Sequence, residues 1–528
     1  MKKLIVIVAI GILMFSCSSR TGHLIGVQGR QPFHPEIPLG MVYIPSGGFQ
    51  MGQSDQDVPF LHQSRNKAVS VQAFYMDNTE ITNNEYRQFV HWVRDSIARE
   101  FIYDGIVNDV VGGGSVDDYD LTVEEAIEYL NAREEWFDEG GLEWIETDPT
   151  DPLNRTVFNL NWDKVFRYDD RFVVPLVNSM YLPSAQRYYK QKQFDVRKLN
   201  FKYVWIDFVE AAKRGDVQVL RNGYSNHLSG AQKTPGHRDL KKHNATHPFT
   251  EEPNGLEKDM GYFNKKGQNN AIRGHENRQR FLIDEVINVY PDTLCWVRDF
   301  TYSFNDPMTN MYFWHNAYDN YPVVGITWVQ ARAFCVWRTQ LLNNWLIEGG
   351  ELIVQDFRLP NEAEWERAAR GDLEMSPYPW GGPYIRNSTG CFLGNFKPMR
   401  GRYFDDGGFH TVKVWSYNPN GWGLYCMAGN VAEWTETAFD ESVYEFSTEL
   451  NPEYRYWAMD WDPPAMKRKV IRGGSWKDIG YYLQTGSRTY EYQDTTKSYI
   501  GFRSVMTHLG RGGRDITQEG GEDNIQLD

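Results

Sequence analysis

Only five cysteines occur in 528 residues. None has C-x-x-C spacing, so a zinc site is not indicated. No stretch after the first sixteen residues is apolar enough to span a bilayer, which takes about 20 apolar residues. No basic block stands out in a chain of formal net charge −15. That argues against nucleic-acid partners and against electrostatic adhesion to anionic lipid. What the chain does have is aromatic content: 15 %, with 18 Trp. This suits a loop-rich globular protein or one with broad aromatic contact surfaces. The apolar share of 41 % permits a substantial core, and the length suits one large domain with insertions or several domains.

Lys2 and Lys3 precede an uncharged run from Leu4 to Phe15. The run is too short to cross a membrane and fits the apolar region of a secretory signal. The following Met14-Phe15-Ser16-Cys17-Ser18 resembles a bacterial lipobox. The resemblance implies lipidation of Cys17, a signal peptide over 1–16 and a lipidated linker over 17–40. The alternative is an ordinary signal peptide that happens to contain a cysteine. Ser18 to Gln31 contains no acidic residue and reads as a flexible leash. Two or more acyl chains would hold the protein stably, at about 0.8 kcal/mol per buried methylene. Cys295, Cys335, Cys391 and Cys426 remain. Export permits disulfides among them in three complete pairings, or they are buried thiols with at most one bridge.

Residues 41–97 are strongly patterned. Met41–Pro45 reads as a strand, Ser46-Gly47-Gly48 as a turn, and Val69–Phe74 as one alternating, half-buried strand. Thr82-Asn83-Asn84-Glu85 matches a capping box. Tyr86, Phe89, Val90, Val93 and Ile97 then form one apolar helix stripe. Residues 98–290 are polar with broken periodicity and read as one large insertion. Within it Glu124–Phe137 suits a helix and Leu228–Asn277 long loops. Patterning returns from 291. Thr327-Trp328-Val329-Gln330 is a second capping box, with Ala331, Phe334, Cys335 and Leu342 on one face. Asn361 caps a third helix with Glu364 at the reciprocal position. Beyond Gly371, turns must carry much of the fold. The Gly-rich charged tail, 509–528, reads as disordered.

Together these segments resemble one family. They are Gly48–Gly52, Phe74–Asn83, Pro322–Trp328, Arg358–Gly371, Gly423–Tyr425, Met427–Trp434, Arg472–Trp476 and Gly501–Arg503. In this order they look like the formylglycine-generating-enzyme, or sulfatase-modifying factor, fold. The resemblance implies an α+β domain over 41–508, related to C-type lectins, with sparse regular secondary structure and the large insertion at about 98–290. In those enzymes a cysteine pair between the RGGSW and GFR blocks holds copper and oxidises a substrate cysteine; thiolates are the soft ligands that copper needs. Here that interval, Lys477 to Ile500, contains no cysteine. The HxxxHxE spacing of the iron-dependent sulfoxide synthases is also absent. No enzymatic activity, no catalytic residue and no required cofactor is therefore expected.

The family resemblance also implies structural calcium held by oxygen ligands. One set would be the carbonyls of Gly429 and Val431 with the Glu433 carboxylate, although Cys426 stands where an Asn or Asp is wanted. A second set would use Asn395 and Asp406. Glu433 could instead be a satisfied structural carboxylate. Arg358, Arg370, Arg472, Arg488 and Arg503 recur beside glycines and aromatics. They read as guanidinium groups that satisfy loop carbonyls and carboxylates, in preference to an anion site.

Outside the shared blocks, Gly26–Arg30, His34-Pro35-Glu36 and Phe74–Val90 resemble the GldK/PorK lipoproteins. That resemblance implies a structural subunit of the type IX secretion system, and of gliding machinery where present. It would sit lipid-anchored on the periplasmic face of the outer membrane and form a ring with itself and a GldN/PorN-like partner, alongside other type IX components. A formylglycine-generating-type oxidase, a GldJ-like gliding lipoprotein and a glycan-binding surface module are the alternatives.

Overall fold

A computed structural model of the chain describes residues 37–53, 66–112, 142–145, 157–160, 167–168, 173–206, 282–299, 308, 311–350, 352–402, 405–458 and 462–509. Residues Ile37–His508 form one compact unit. Cys17, the expected helix Glu124–Phe137, the loops Leu228–Asn277 and the tail from Gly510 lie outside the described residues.

The capping boxes set where the three longer helices begin. Helix α1 spans Asn83–Gly112. The Thr82 amide donates to Glu85 Oε2 at 2.7 Å, and the Glu85 amide returns to Thr82 Oγ1 at 3.3 Å. Helix α2 spans Trp328–Glu348 behind the reciprocal Thr327/Gln330 box. Helix α3 spans Glu362–Arg370 behind the Asn361/Glu364 box. Each box satisfies amides that a helix start otherwise leaves open.

Strands β1 (Met41–Ile44) and β4 (Phe74–Asp77) pair antiparallel. With β9 (Phe357–Arg358) and β14 (Val505–Thr507) they make a four-stranded sheet ordered β1-β4-β14-β9. A second sheet, β12-β11-β10-β13, joins Thr489–Tyr492, Arg468–Arg472, Ala432–Ala438 and Ile500–Gly501. Its β10–β13 pair is parallel. Strands β2 (Gly47–Met51) and β3 (Lys67–Val71) form a separate hairpin. Two sequence expectations change here. Gly47 and Gly48 belong to a strand, leaving only Pro45 and Ser46 for the turn. The expected strand Val69–Phe74 is two strands, because the chain breaks at Gln72-Ala73 and changes from pairing with β2 to pairing with β1.

Part of the polar 98–290 block contributes to the main core. Helix α1 runs through the boundary at 98 to Gly112. Strands β5 (Leu142–Ile145) and β6 (Val157–Leu160) form one hairpin. Strands β7 (Asn200–Ile206) and β8 (Leu282–Asn288) form another. The second sends Phe201 and Tyr203 into the core beside Phe89 and Trp337, with the Phe89 and Phe201 rings 5.3 Å apart and edge-on. The Tyr86 hydroxyl donates to the Val289 carbonyl at 3.0 Å. Ala98 packs with Val173, Val177, Met180 and Tyr181 in a smaller cluster. The core keeps three tryptophans fully buried, and each indole N–H has a partner: Trp328 to Thr435 O, Trp434 to Ile326 O, and Trp365 to Glu433. No described helix is long and apolar enough to cross a membrane.

Candidate functional site

The family blocks converge on a set of buried charges. Glu366, fully buried on α3, accepts from Arg370 Nη2 at 2.7 Å and Nε at 3.0 Å. It also accepts from the Gly52 amide at 2.8 Å and from Arg472 Nη2. One turn earlier, Glu362 takes Arg488 at 2.5 and 3.0 Å and lies 3.3 Å from Arg472 Nε. The result is one chain, Arg370–Glu366–Arg472–Glu362–Arg488, that ties α3 to β11 and to the segment before β12. Glu364, on the same helix, is gripped by Arg358 with two contacts of 2.6 Å. Burial pushes the Glu362 and Glu364 carboxyls up, but the neighbouring guanidiniums outweigh it and hold both below the ordinary range.

Glu433 is engaged in the same way. Arg503 reaches its two oxygens at 2.6 and 2.8 Å, and the Trp365 indole donates to Oε2 at 2.7 Å. Both residues are essentially excluded from solvent. All five arginines singled out in the sequence therefore satisfy carboxylates and carbonyls, as expected of structural groups, and none presents a free anion-binding face. Of their glutamate partners, Glu433 answers the reading of a satisfied structural carboxylate and Glu364 was read as a cap residue, while Glu362 and Glu366 were not assigned from sequence. The available signal was the i, i+4 spacing of Glu366 and Arg370.

Glu80 was also missed. It lies fully buried just before α1, accepting from Asn430 Nδ2 at 2.5 Å and from the Val431 amide at 3.2 Å. Burial, and then the Glu433 charge, push its carboxyl well above the ordinary value of 4.5. The raised value makes Glu80 favour folding only while it stays protonated. Below pH 4.5 it is neutral in both states; above, unfolding releases a proton that the fold retains, and stability falls with rising pH until the folded value is passed. Glu80→Gln removes this term. The stability of the variant relative to wild type should therefore climb as the pH rises above 4.5, by no more than about 1.4 kcal/mol per pH unit. Urea titrations at several pH values measure it, and a constant offset would contradict the assignment.

The two expected calcium sets fare differently. Glu433 is turned wholly into Arg503 and Trp365. At the position that wants an Asn or Asp, the Cys426 thiol donates to the Val414 carbonyl at 3.3 Å. This set does not fit a hard cation. Asn395 and Asp406 each lie close to Gly408. A side chain at Gly408 would meet Asn395 Oδ1 at 3.0 Å, and the Gly408 amide faces Asp406 Oδ1 at 3.4 Å. The Tyr417 hydroxyl donates to Asp406 Oδ2 at 2.5 Å. These two residues could supply two of the six to eight oxygens that calcium takes. Among the described residues no group of three or more His, Cys, Asp or Glu could hold a metal ion.

The thiols are not brought together either. All four described cysteines are free. Cys335 lies in the main core and Cys295 in a separate aromatic cluster. Cys426 is buried beneath the Tyr417–Asn420 loop, and Cys391 is exposed. Burial pushes the Cys295, Cys335 and Cys426 thiols up. They stay protonated at neutral pH, the opposite of what a nucleophile or copper ligand requires. Between Trp476 and Ile500 the chain holds a Ser475–Asp478 turn closed at 2.6 Å, the buried Leu483 and strand β12.

Comparison with known proteins identifies the family. The sulfatase-modifying factor enzyme 1-like domain matches residues 31–168 and 275–508, well over half the chain. The break in that match, 169–274, is shorter than the insertion read from sequence. The chain is 31 % identical over 197 residues to the formylglycine-generating enzyme of Bos taurus, covering 36 % of this chain and 45 % of the relative. It is 33 % identical over 190 residues to the inactive C-alpha-formylglycine-generating enzyme 2 of Bos taurus, covering 35 % and 49 %. It thus spans about half the length of the curated relatives it matches. Among solved structures, PvdO from Pseudomonas aeruginosa aligns over 89 % of this chain and 94 % of its own at 13 % identity and a TM-score of 0.36. With its ordered blocks, capped helices and buried arginine–glutamate pairs, the chain belongs to the sulfatase-modifying factor enzyme 1-like (FGE-sulfatase) domain family.

Proposed function

We propose that this protein is a non-catalytic structural subunit of the type IX secretion system. It is lipidated at Cys17, seated on the periplasmic face of the outer membrane, and builds a ring with a GldN/PorN-like partner. One observation carries the non-catalytic reading. The interval Lys477–Ile500 has no thiol, and the buried thiols elsewhere are scattered and protonated. That a relative is named inactive C-alpha-formylglycine-generating enzyme 2 is in keeping with this reading. The secretion-system reading is supported by the resemblance of Gly26–Arg30, His34–Glu36 and Phe74–Val90 to the GldK/PorK lipoproteins. A loop-dominated fold offers many surfaces to neighbours, and a ring needs head-to-tail contacts that close.

The names of the active relatives favour a second reading, an oxidase of substrate cysteines. One assay divides the two. The purified protein incubated with Cu(I) and a cysteine peptide under air should take up no stoichiometric copper and form no aldehyde on the peptide beyond a protein-free control. Stoichiometric copper with turnover to the aldehyde would establish the oxidase.

A further inference from the structure

Arg367 departs from the pattern of the arginines around it. The five singled out above, and Arg338, each meet a carboxylate. Arg367 stands on α3 between the buried Glu366 and Ala368 and is itself partly exposed. Its Nε is buried with no hydrogen-bond acceptor. Among the described residues the group makes no hydrogen bond and no ion pair. It is nonetheless held in place. Its Cζ lies 4.7 Å from the centroid of the Trp422 ring. A side chain at Gly47 would stand 2.9 Å from Nη2 and 3.4 Å from Cζ, so the glycine leaves the room that the guanidinium takes. The indole is fixed in turn. Trp422 Nε1 donates to Asp372 Oδ1 at 3.1 Å, and the Trp422 amide donates to Asn420 Oδ1 at 3.1 Å. Asn420 Nδ2 donates to the Ala368 and Ala369 carbonyls at 2.7 and 3.3 Å, which bolts this loop to the last turn of α3.

We propose that Arg367, laid on Trp422, is a binding point for a carboxylate brought by another molecule. A guanidinium presents its N–H donors as a planar fork that matches a carboxylate with two parallel bonds. A fork already fixed on an aromatic face loses little further freedom on binding. The nearby Asp372 carboxylate, engaged by the Trp422 indole, favours a singly charged ligand over a dianion such as phosphate. Burial lowers the proton affinity of Arg367, and the Asp372 charge offsets this only in part; a bound carboxylate supplies the missing counter-charge. Trp and Arg are also the residue types enriched where binding energy concentrates. The site does not depend on the secretion-system reading.

The test is site-resolved labelling of the full-length protein with phenylglyoxal, which modifies arginine, read by mass spectrometry of the peptide that holds residue 367. In sodium chloride Arg367 should react. Sodium acetate at equal ionic strength should at least halve its rate. Arg197, 69 % exposed and already paired with Asp195, should react equally in both salts. A tetraglutamate peptide at the same carboxylate concentration separates the sources. Stronger protection than acetate assigns the site to acidic protein segments, and equal protection assigns it to single small carboxylates. Trp422→Ala should keep the labelling of Arg367 but lose the protection. Equal Arg367 rates in wild type with chloride, acetate and peptide overturn the proposal. So does protection that persists in Trp422→Ala, which would describe an ordinary surface arginine. An Arg367 that is unreactive in chloride at every protein concentration is satisfied within its own chain, and that result also overturns it.

Discussion

Glu366→Ala will cost the domain about 3–5 kcal/mol, the range for breaking a buried ion pair by removing one partner. The carboxylate is fully buried and binds Arg370, Arg472 and the Gly52 amide. Its removal leaves two guanidiniums in the interior with only Glu362 to balance the network they share with Arg488. Three segments that are distant in sequence loosen together: the end of β2, helix α3 and strand β11. The urea unfolding midpoint measures the loss, and far-ultraviolet dichroism at native conditions checks that the variant folds. Asp405→Ala is the comparison. Its pair with Arg386 is exposed on both sides and should contribute less than about 1 kcal/mol. Equal losses in the two variants would mean that the buried chain of charges is not what holds α3 in place.

Gly429→Ala comes second, at about 3 kcal/mol. Gly429 has φ +85°, where a side chain costs roughly 1–2 kcal/mol. A methyl group there would stand 2.4 Å from the Asn395 carbonyl oxygen. That carbonyl must move, and it is the acceptor for the Asn430 amide at 2.9 Å, a bond contributing about 1 kcal/mol. Gly407 makes a matched control: its φ is +86°, and nothing lies within 4 Å of an added methyl. Gly407→Ala should therefore show only the backbone part. The difference between the two variants in unfolding free energy isolates the close approach of the Met427–Trp434 block to the Asn395 loop.

The sequence made local features legible and long-range ones much less so. All three capping boxes were readable because each is written within four residues. The break at Gln72-Ala73 was not, because an alternating pattern continues unchanged when a strand passes from one partner to another. Strand β7 alternates Phe201, Lys202 and Tyr203, yet polar flanks hid its place in the core. The structural role of the arginines could be argued from their types and neighbours. Most of their partners could not, since Arg472 meets Glu366 across 106 residues, Arg488 meets Glu362 across 126 and Arg503 meets Glu433 across 70. The same limit governed calcium. The family resemblance offered Glu433 and Asp406 alike as calcium ligands; only geometry shows Glu433 committed to Arg503 and Asp406 held by Tyr417.

Assembly is the function proposed for this fold, whose charged interior holds loops together. The most direct measurement is the mass of the particle released by mild detergent from outer membranes of cells making the wild-type protein, with its subunits identified. The expected result is a megadalton-scale ring containing many copies of this chain and a GldN/PorN-like partner. A monomer without that partner would contradict it.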